Sequence, residues 1–233
     1  MATRFPNLLV IPTRDAVLHE ETDPVRVARL KQKIVREGVL SEPLLVAGMG
    51  GNKYVVLDGA NRVMVFRQLG IPHVVVQAVN YRTPDVCLET WNHLVCDQRF
   101  RWHYAQPAKR FTLAEADQML PFVNAYRGRY RFYRVAGDEL TRLRQPGASC
   151  LVVFPKFRPA DIIRFARCHE LIPSGITRHL IAGRMLNANL PLIPLRRRTT
   201  LAVKRQWLKR WLRDKLQERK IRYYAEPTFM VYE

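Results

Sequence analysis

The segment of this chain best suited to chemistry joins a strand, a glycine turn and the start of a helix. A β-branched run at residues 54–57 predicts a buried strand, Asp58 and Gly59 break it, and a helical pattern follows over residues 60–69. The first N–H groups of a helix have no partner within it and carry the positive end of its dipole, so they can hold an anion. Gly59 lets the backbone approach that anion closely, and Arg62 can add a bidentate contact to phosphate oxygens.

Asp58 would lie at the rim of this anion site, where a carboxylate can serve Mg²⁺ or accept a proton. The alternative interpretation is an ordinary Asp-Gly turn followed by a surface arginine, because short glycine motifs often occur without a ligand. The spacing by itself leaves both interpretations open.

A second acidic candidate, Glu20, follows His19 on a predicted loop just before a helix. A carboxylate in a cleft can act as a general base that takes the proton of a hydroxyl group while its oxygen attacks phosphorus. The alternative is that Glu20 and Glu21 are simply acids near a helix start, where the helix dipole favours them. Without further information the sequence does not single out Glu20 as a base.

Two groups of residues in the second half can bind a small polar substrate. Thr177, Arg178 and His179 follow a predicted turn, and an arginine with a hydroxyl group suits an amino-acid carboxylate. A surface strand with alternating polar residues is the alternative. Trp91 and His93 are two positions apart on a predicted helix, so they would not share one face. For that pair, a place in the core is the alternative.

The chain carries 39 lysines and arginines against 20 acidic residues, a formal net charge of +19. Such a charge indicates anionic partners such as nucleotides, nucleic acid or acidic proteins, although it can also serve solubility alone. Part of it lies on a predicted long basic helix over residues 201–221, which could follow a phosphate backbone. The alternative is a solvated face whose Trp207 and Trp211 pack inward, and no helix-turn-helix signature accompanies it.

The bulk composition predicts a globular protein of the cytoplasm. The 233 residues have room for one large or two small domains, and 48% of them are hydrophobic, which suits a packed core. No apolar run approaches the roughly 18–20 residues that span a bilayer. The N-terminus lacks the apolar core of a signal peptide. The four cysteines show neither a Cys-x-x-Cys pair nor zinc spacing, so we expect reduced thiols.

The other patterns predict a compact α/β unit followed by a less regular second half. Beside the central strand, the unit has strands at residues 8–11, 43–47 and 73–79, and a helix from about residue 22 that ends at Gly38. The elements predicted after residue 81 are helices over residues 85–96, 113–122 and 159–170, a strand over 150–154, and extended chain over 187–193 and 229–232.

Taken in order, these motifs resemble one known group of proteins. The matching segments of the first half are Leu-His-Glu at 18–20, Glu-Pro-Leu-Leu-Val at 42–46, Val-Leu-Asp-Gly-Ala-Asn-Arg at 56–62 and Leu-Gly-Ile-Pro at 69–72. They resemble the ParB/sulfiredoxin superfamily and, within it, the free L-serine kinases, a family with ATP-dependent members in siderophore gene clusters and ADP-dependent members in archaea. The matching segments of the second half are residues 172–178, 182–187 and 190–192. The resemblance is weakest over residues 97–150.

The resemblance implies a fold and an activity. The fold would be α/β (α+β), with a ParB/sulfiredoxin-like nucleotide-binding domain over residues 1–82 and a mixed, helix-rich α+β domain over residues 83–233 that completes a serine pocket. The activity would be phosphorylation of free L-serine to O-phospho-L-serine with ATP or ADP and Mg²⁺. Such a product feeds the synthesis of cysteine or of 2,3-diaminopropionate, the latter in siderophore or peptide-antibiotic pathways.

The resemblance also implies roles for single residues. Glu20 would be the catalytic base, and Asp58 would serve catalysis and hold Mg²⁺ through the phosphates. The implied nucleotide-binding residues are Ser41, Gly59, Ala60, Asn61 and Arg62. The implied serine-binding residues are His19, Trp91, His93, Thr177, Arg178 and His179.

One position departs from the family pattern, and one alternative function stays open. Where the family has histidine before the motif arginine, this chain has Asn61, which can donate to a phosphate but cannot carry charge or shuttle protons. A sulfiredoxin reaction would need a cysteine in this loop, where the chain has Ala60. The alternative function is a nucleotide-responsive, ParB-like DNA-binding transcriptional regulator, and weak DNA binding is compatible with either function. A homodimer, an effector and the choice of ATP or ADP are left open.

Overall fold

The computed structural model describes residues 5–84, 86–97, 99, 107–137 and 147–223, and its first half is built on a five-stranded mixed sheet. The strands of this half are β1 (Leu8–Pro12), β2 (Ala16–Val17), β3 (Val39–Leu40), β4 (Leu44–Gly50), β5 (Lys53–Asp58) and β6 (His73–Val79). The sheet has the order β1-β6-β4-β5-β2, with β4 parallel to β6 and antiparallel to β5. The predicted strands of this half are confirmed.

Two helices of the first half, α1 (Pro24–Glu37) and α2 (Ala60–Gln68), differ at their N-termini. The carboxylate of Asp23 caps α1, because it accepts the N–H groups of Val25 and Arg26. Gly38 ends α1 with a φ of 67°, as the sequence predicts. The start of α2 has no side-chain cap, so its first N–H groups are not satisfied by a neighbouring side chain.

The second half has more strand than the sequence indicates. Its elements are β7 (Val86–Thr90), β8 (Asn92–Val95), β9 (Ala108–Arg110), α3 (Ala116–Tyr126), β10 (Phe132–Val135), β11 (Cys150–Val153), α4 (Pro159–Cys168) and β12 (Thr177–Ile181). Strands β10, β8, β11 and β9 form a second sheet in that order, and β12 pairs with β7. The helix predicted over residues 85–96 is wrong. Residues 92–95 are instead fully buried between two neighbouring strands, which is a pairing that local periodicity does not reveal.

The last described elements return to the first sheet. They are β13 (Leu190–Pro191), α5 (Leu192–Arg196) and α6 (Leu201–Gln217). Strand β13 pairs with β3, and Leu208 of α6 is buried in the first core, against which Trp207 and Trp211 also pack. The extended chain predicted over residues 187–193 is therefore only partly correct. The division at residue 82 stays a prediction, and the strand predicted over residues 229–232 lies outside the described residues.

Strand β5 runs through the middle of the interior and places its last residue at the edge of both cores. Val56 packs in one core with α1, α2 and α6, while Val55 and Leu57 pack in the other with α3 and α4. Side chains alternate across a strand, so a strand between two packed layers is apolar on both faces. The polar residue Asp58 comes at the point where this burial ends. Within the described ranges, no helix is long and apolar enough to cross a membrane.

Candidate active site

An open cleft of about 470 Å³ lies at the end of β5, between the first sheet and the second half of the chain. It brings together ten of the residues singled out in the sequence: Glu20, Asp58, Gly59, Ala60, Asn61, Arg62, Trp91, Thr177, Arg178 and His179. These residues come from segments more than 150 positions apart. Their meeting in one cleft favours the interpretation as a site over that of unrelated turns and surface residues.

The turn at Gly59 is shaped so that only glycine fits without strain. Its φ is 106°, a conformation that side chains rarely adopt, and a Cβ atom there would lie 2.7 Å from Cδ2 of Leu44. The chain thus turns sharply from β5 into α2, and the uncapped N–H groups of α2 face the cleft. Such a start can hold an anion, as the sequence predicts.

Arg62 lies in the cleft wall, but its guanidinium is held by the protein. Nη1 donates to the carbonyl oxygens of Glu42 (2.8 Å) and Pro43 (3.0 Å), and Nη2 donates to Asp58 Oδ2 (3.0 Å). Arg62 therefore fastens the first turn of α2 to the start of β4 and orients the carboxylate of Asp58. These contacts to residues 42 and 43 are distant in sequence, so the motif alone could not predict them.

Asn61 connects the two helices of the first half. Its side-chain oxygen accepts the N–H of Asp23 at 3.0 Å, and Asp23 is the residue that caps α1. The side chain that replaces the family's histidine thus has a structural partner here. Asn61 also lines the cleft at the start of α2, where phosphate is expected.

Asp58 is held between two arginines. Besides Arg62, Nη2 of Arg184 donates to Asp58 Oδ2, and Arg184 also lies 3.4 Å from Glu42 Oε2. Burial alone would raise the pKa of Asp58, but the charges of Arg62 and Arg184 outweigh it, and the pKa lies below the ordinary value. Asp58 is therefore an anion at neutral pH.

The position of Arg184 depends on a buried amide on β6. The side chain of Gln77, only 4% exposed, donates to the carbonyl of Gly183 (3.1 Å) and accepts the N–H of Met185 (2.9 Å). It thus holds the residues on both sides of Arg184. Two hydrogen bonds from one buried side chain fix this turn against the sheet, which keeps the guanidinium over Asp58.

Glu20 is positioned by backbone contacts to the second half of the chain. It forms a parallel bridge with Ile172, in which Ile172 N–H donates to His19 O and Glu21 N–H donates to Ile172 O, both at 3.0 Å. The N–H of Gly175 donates to Glu20 Oε2 at 3.1 Å. A carboxylate held in this way cannot swing freely, so its orientation into the cleft is fixed.

The environment of Glu20 changes its acidity. Burial raises the pKa of Glu20 to about 7, with the Gly175 hydrogen bond opposing the rise and the charge of Asp58 adding to it. The charges of Arg134 and Arg127 also oppose the rise. A carboxylate with a pKa near neutrality is a stronger base than an ordinary glutamate, and a large fraction of it is ionised at physiological pH.

His19 lies beneath the cleft and supports Thr177. Its Nδ1 must donate to the carbonyl of Val56 (2.9 Å), because a carbonyl only accepts, and Nε2 then accepts the hydroxyl hydrogen of Thr177 (3.3 Å). Burial lowers the pKa of His19 to about 3, so the ring is neutral and this pattern is stable. The hydroxyl oxygen of Thr177 keeps its acceptor capacity for the cleft.

The pair of strands β7 and β12 carries the remaining predicted substrate residues. Arg178 lies directly opposite Glu89, pairs with its carboxylate at 3.1 Å, and stacks over the ring of Trp91 at 4.6 Å. His179 contacts the hydroxyl of Tyr81 through Nε2 at 2.7 Å. Burial lowers the pKa of His179 to about 4, against the nearby charge of Asp58, so this ring is also neutral.

Three predicted residues do not line the cleft: His19, which lies beneath it, and His93 and Ser41. His93 is fully buried among aromatic rings, with Nδ1 at 2.5 Å from the hydroxyl of Tyr126 and the ring of Phe132 at 4.6 Å. This is the core position that the sequence offered as its alternative. Ser41 contributes its carbonyl oxygen to the N–H of Asn189 and lies outside the cleft wall.

Several cleft residues were missed from the sequence: Arg26, Arg134, Ser174, Gly175 and Arg184. Ser174, Gly175 and Arg184 lie in segments that carry the family resemblance, so that resemblance could have indicated them. Arg26 is simply one of many charged residues on α1. Arg134 lies in the Arg- and Tyr-rich middle of the chain, where no pattern separates it from its neighbours.

A helix start that can hold phosphate and a buried carboxylate of raised pKa, which line one cleft of an α/β fold, are the groups that a phosphoryl-transfer site uses. No protein-family model matches the chain. The chain aligns at 27% identity, over an alignment of 252 positions that covers 97% of each protein, with a protein of Staphylococcus aureus named ATP-dependent L-serine kinase SbnI.

Solved structures show the same fold. A C-terminally truncated SbnI from Staphylococcus aureus has a TM-score of 0.74 at 23% identity, over 90% of this chain and 97% of that one. A free serine kinase in complex with AMP has a TM-score of 0.67 at 14% identity, over 83% of this chain and 95% of that one. The predicted fold class and the resemblance to the free L-serine kinases are confirmed.

Proposed function

We propose that this protein is an ATP-dependent kinase of free L-serine that yields ADP and O-phospho-L-serine. The observation that carries this proposal is that Glu20 and the uncapped start of α2 line one cleft and that Glu20 is electrostatically coupled to Asp58. A phosphate chain at α2 and a hydroxyl group at Glu20 would then meet. The similarity to the SbnI kinase over nearly the whole chain supports the same reaction.

The chemical step needs one base and a neutralised phosphate chain. Glu20 accepts the proton of the serine hydroxyl as its oxygen attacks the γ-phosphorus, and the bond between that phosphorus and the ADP oxygen breaks. The N–H groups of α2 and the guanidinium of Arg184 are placed to stabilise the negative charge on the phosphate oxygens. We assign Thr177 and His179, both neutral donors or acceptors in the cleft wall, to orient the serine.

Mg²⁺ belongs to this proposal because Asp58 suits it. The carboxylate is 41% exposed and ionised, and Mg²⁺ in nucleotide sites is commonly held by one or two carboxylates together with phosphate oxygens and water. Among the described residues there is no group of three metal-ligating side chains, so an all-protein cage is not the expected arrangement. When bound, the ion would supply positive charge to the transferring phosphate.

The direct test is to incubate the protein with ATP, Mg²⁺ and L-serine and to measure O-phospho-L-serine by mass spectrometry. ADP is tested in parallel as phosphate donor. We expect product with ATP. Absence of product with both nucleotides, at millimolar serine and with the protein folded, would overturn the proposed function.

A pH profile tests the role of Glu20. Only the ionised carboxylate can accept a proton, and its pKa is about 7. We therefore expect kcat/KM for serine to be level above pH 7 and to fall about tenfold per pH unit below it. The pKa of Asp58 lies below its ordinary value, so Asp58 does not contribute to this limb. A profile that stays flat down to pH 5 would remove Glu20 as the base.

A substitution of Gln77, which holds the residues on both sides of Arg184, tests whether Arg184 contributes to ATP binding. Gln77→Leu removes both hydrogen bonds that hold residues 183 and 185, and we expect KM for ATP to rise about tenfold because Arg184 is no longer held at the phosphate site. Gln68→Leu, on the exposed side of α2, is the matched control and should leave KM unchanged. An equal KM in both variants would show that the position of Arg184 does not matter for ATP.

The alternative function, a nucleotide-responsive DNA-binding regulator, is not favoured. Trp207 and Trp211 of the basic helix α6 pack against the first core, which matches the interpretation as a solvated basic face. We propose the cytoplasm as the compartment, because ATP is available there, thiols stay reduced, and none of the four cysteines is joined to another in a disulfide. Weak DNA binding and a homodimer stay predictions.

A further inference from the structure

Arg134 is the cleft arginine that lies beside the proposed base. It belongs to β10, opposite His93 of β8, and its guanidinium lies against the backbone of Gly175. A Cβ atom at residue 175 would collide with that guanidinium, and the φ of 74° there also favours glycine. Gly175 therefore does two things at once. It donates its N–H to Glu20, and it leaves room for Arg134 next to that carboxylate.

Arg134 differs from the other arginines of the cleft in its partners. Arg62 and Arg184 both contact Asp58, and Arg178 pairs with Glu89. Within the part of the chain that the structure describes, no carboxylate lies within ion-pair distance of the Arg134 guanidinium. It interacts with Glu20 only at longer range, strongly enough to oppose the rise in the pKa of Glu20. A cation held at a cleft wall without a paired anion is suited to an anion that arrives with a substrate.

Arg26 also has no ion-paired carboxylate among the described residues, but its charge is not one of those that act on Glu20. It lies on α1, its charge repels that of Arg134, and it does not contribute to the pKa of Glu20. Arg26 is therefore less suited than Arg134 to a group that binds beside the base; it lines the cleft together with Leu30, which follows it by four residues on α1. An anionic group bound at Arg134 would relieve the repulsion between the two arginines.

The covalent structure of serine favours a cation beside Glu20. Its hydroxyl and carboxylate groups are separated by a short chain of bonds, so a hydroxyl at Glu20 brings the substrate carboxylate close to the carboxylate of Glu20. Two carboxylates at that separation repel each other and would raise the pKa of the base further. A guanidinium beside both groups offsets that repulsion and can donate two parallel hydrogen bonds to a carboxylate, because its planar fork matches the two carboxylate oxygens.

We propose that Arg134 binds the α-carboxylate of the amino-acid acceptor and makes the site specific for a free amino acid. This deepens the proposed function and rests on it for the identity of the acceptor. It also moves the carboxylate contact from Arg178, the residue that the sequence suggests, to Arg134. Arg178, paired with Glu89 and stacked on Trp91, forms the adjacent wall of the pocket.

The test compares L-serine with L-serinamide, which lacks the carboxylate. Both acceptors are compared at a pH on the level part of the profile, where Glu20 is ionised in every variant. For the unaltered protein we expect kcat/KM to favour serine, and Arg134→Gln should reduce kcat/KM for serine about 10- to 100-fold while changing that for serinamide little. KM for ATP should not change. Arg134→Lys keeps the charge and should hold the acid limb of the pH profile in place, whereas Arg134→Gln should shift this limb to higher pH.

Three controls make the outcome decisive. Arg178→Gln should keep the preference for serine, and loss of the preference in that variant but not in Arg134→Gln would overturn the proposal. Arg164→Gln, a surface variant on α4, controls for the loss of one positive charge. Serine binding is also measured by calorimetry with a non-hydrolysable ATP analogue. Binding that depends on Arg134 without turnover would support the carboxylate site and refute the kinase. Turnover with unchanged preference in Arg134→Gln would refute the carboxylate site alone.

Discussion

Replacing Glu20 with glutamine should reduce kcat for serine phosphorylation about 10²- to 10⁴-fold, the range lost when a general base is removed. Glutamine has nearly the same shape and can still accept the N–H of Gly175, so the loop and the bridge to Ile172 should persist. It cannot take a proton from the acceptor hydroxyl. ATP affinity, measured by calorimetry without serine, should therefore be unchanged while steady-state turnover falls.

Stability measurements separate this effect from misfolding. The pKa of Glu20 is raised from 4.5 to about 7, so the folded protein binds this proton more tightly than the unfolded chain does. The sign follows directly: the stability contributed by Glu20 is present below about pH 4.5 and is lost as the pH rises to about 7. At pH 8, Glu20→Gln should therefore melt at the same temperature as the unaltered protein or higher.

The neighbouring carboxylate is the matched control. Glu21 pairs with Arg127 at the end of α3, so Glu21→Gln removes an adjacent charge without removing the proposed base. We expect it to keep most of the activity. Equal loss of activity in the two variants, or loss of ATP affinity in Glu20→Gln, would mean that Glu20 has been assigned the wrong role.

The phosphate-binding part of the site could be predicted from the sequence because the residues that form it are consecutive in the chain. A strand, a turn that needs glycine and a helix start occupy consecutive residues, and each has a signal in residue type. The structure adds what is not local. Arg62 donates to carbonyls of residues 42 and 43, and Arg184 reaches Asp58 from 126 positions away, so neither contact has a pattern in the sequence.

The second half shows the same division between local and distant determinants. The segment from Val86 to Val95 has apolar residues that satisfy a helical or an extended pattern, and its pairing with β10, β11 and β12 decides in favour of strands. Because β8 is a buried strand, His93 points into the aromatic core, whereas Trp91, at the junction of β7 and β8, reaches the cleft. The sequence left two places open for this pair, the substrate site and the core. Trp91 lies in the first and His93 in the second.

Gly59→Ala should disrupt the phosphate site through the backbone. At a φ of 106° an alanine is strained, and its Cβ would lie 2.7 Å from Leu44 Cδ2 and 3.0 Å from Arg62 Nε. We expect the free energy of unfolding to fall by about 1–3 kcal/mol, as for other residues forced into rare conformations. ATP affinity should fall more than this loss of stability explains, because the turn must open where the N–H groups of α2 meet the phosphates.

Gly70→Ala, at the other end of the same helix, isolates the contribution of the close contact. Gly70 also has a positive φ, 63°, but a Cβ atom there would have no heavy atom within 4 Å. Gly70→Ala should therefore lower the free energy of unfolding through backbone strain alone and leave ATP affinity unchanged. Adding Leu44→Ala to Gly59→Ala removes the clash with Leu44 Cδ2 and should recover part of the ATP affinity. If Gly59→Ala and Gly70→Ala bind ATP equally well, the phosphates are not held at the start of α2, because only the first substitution changes that turn.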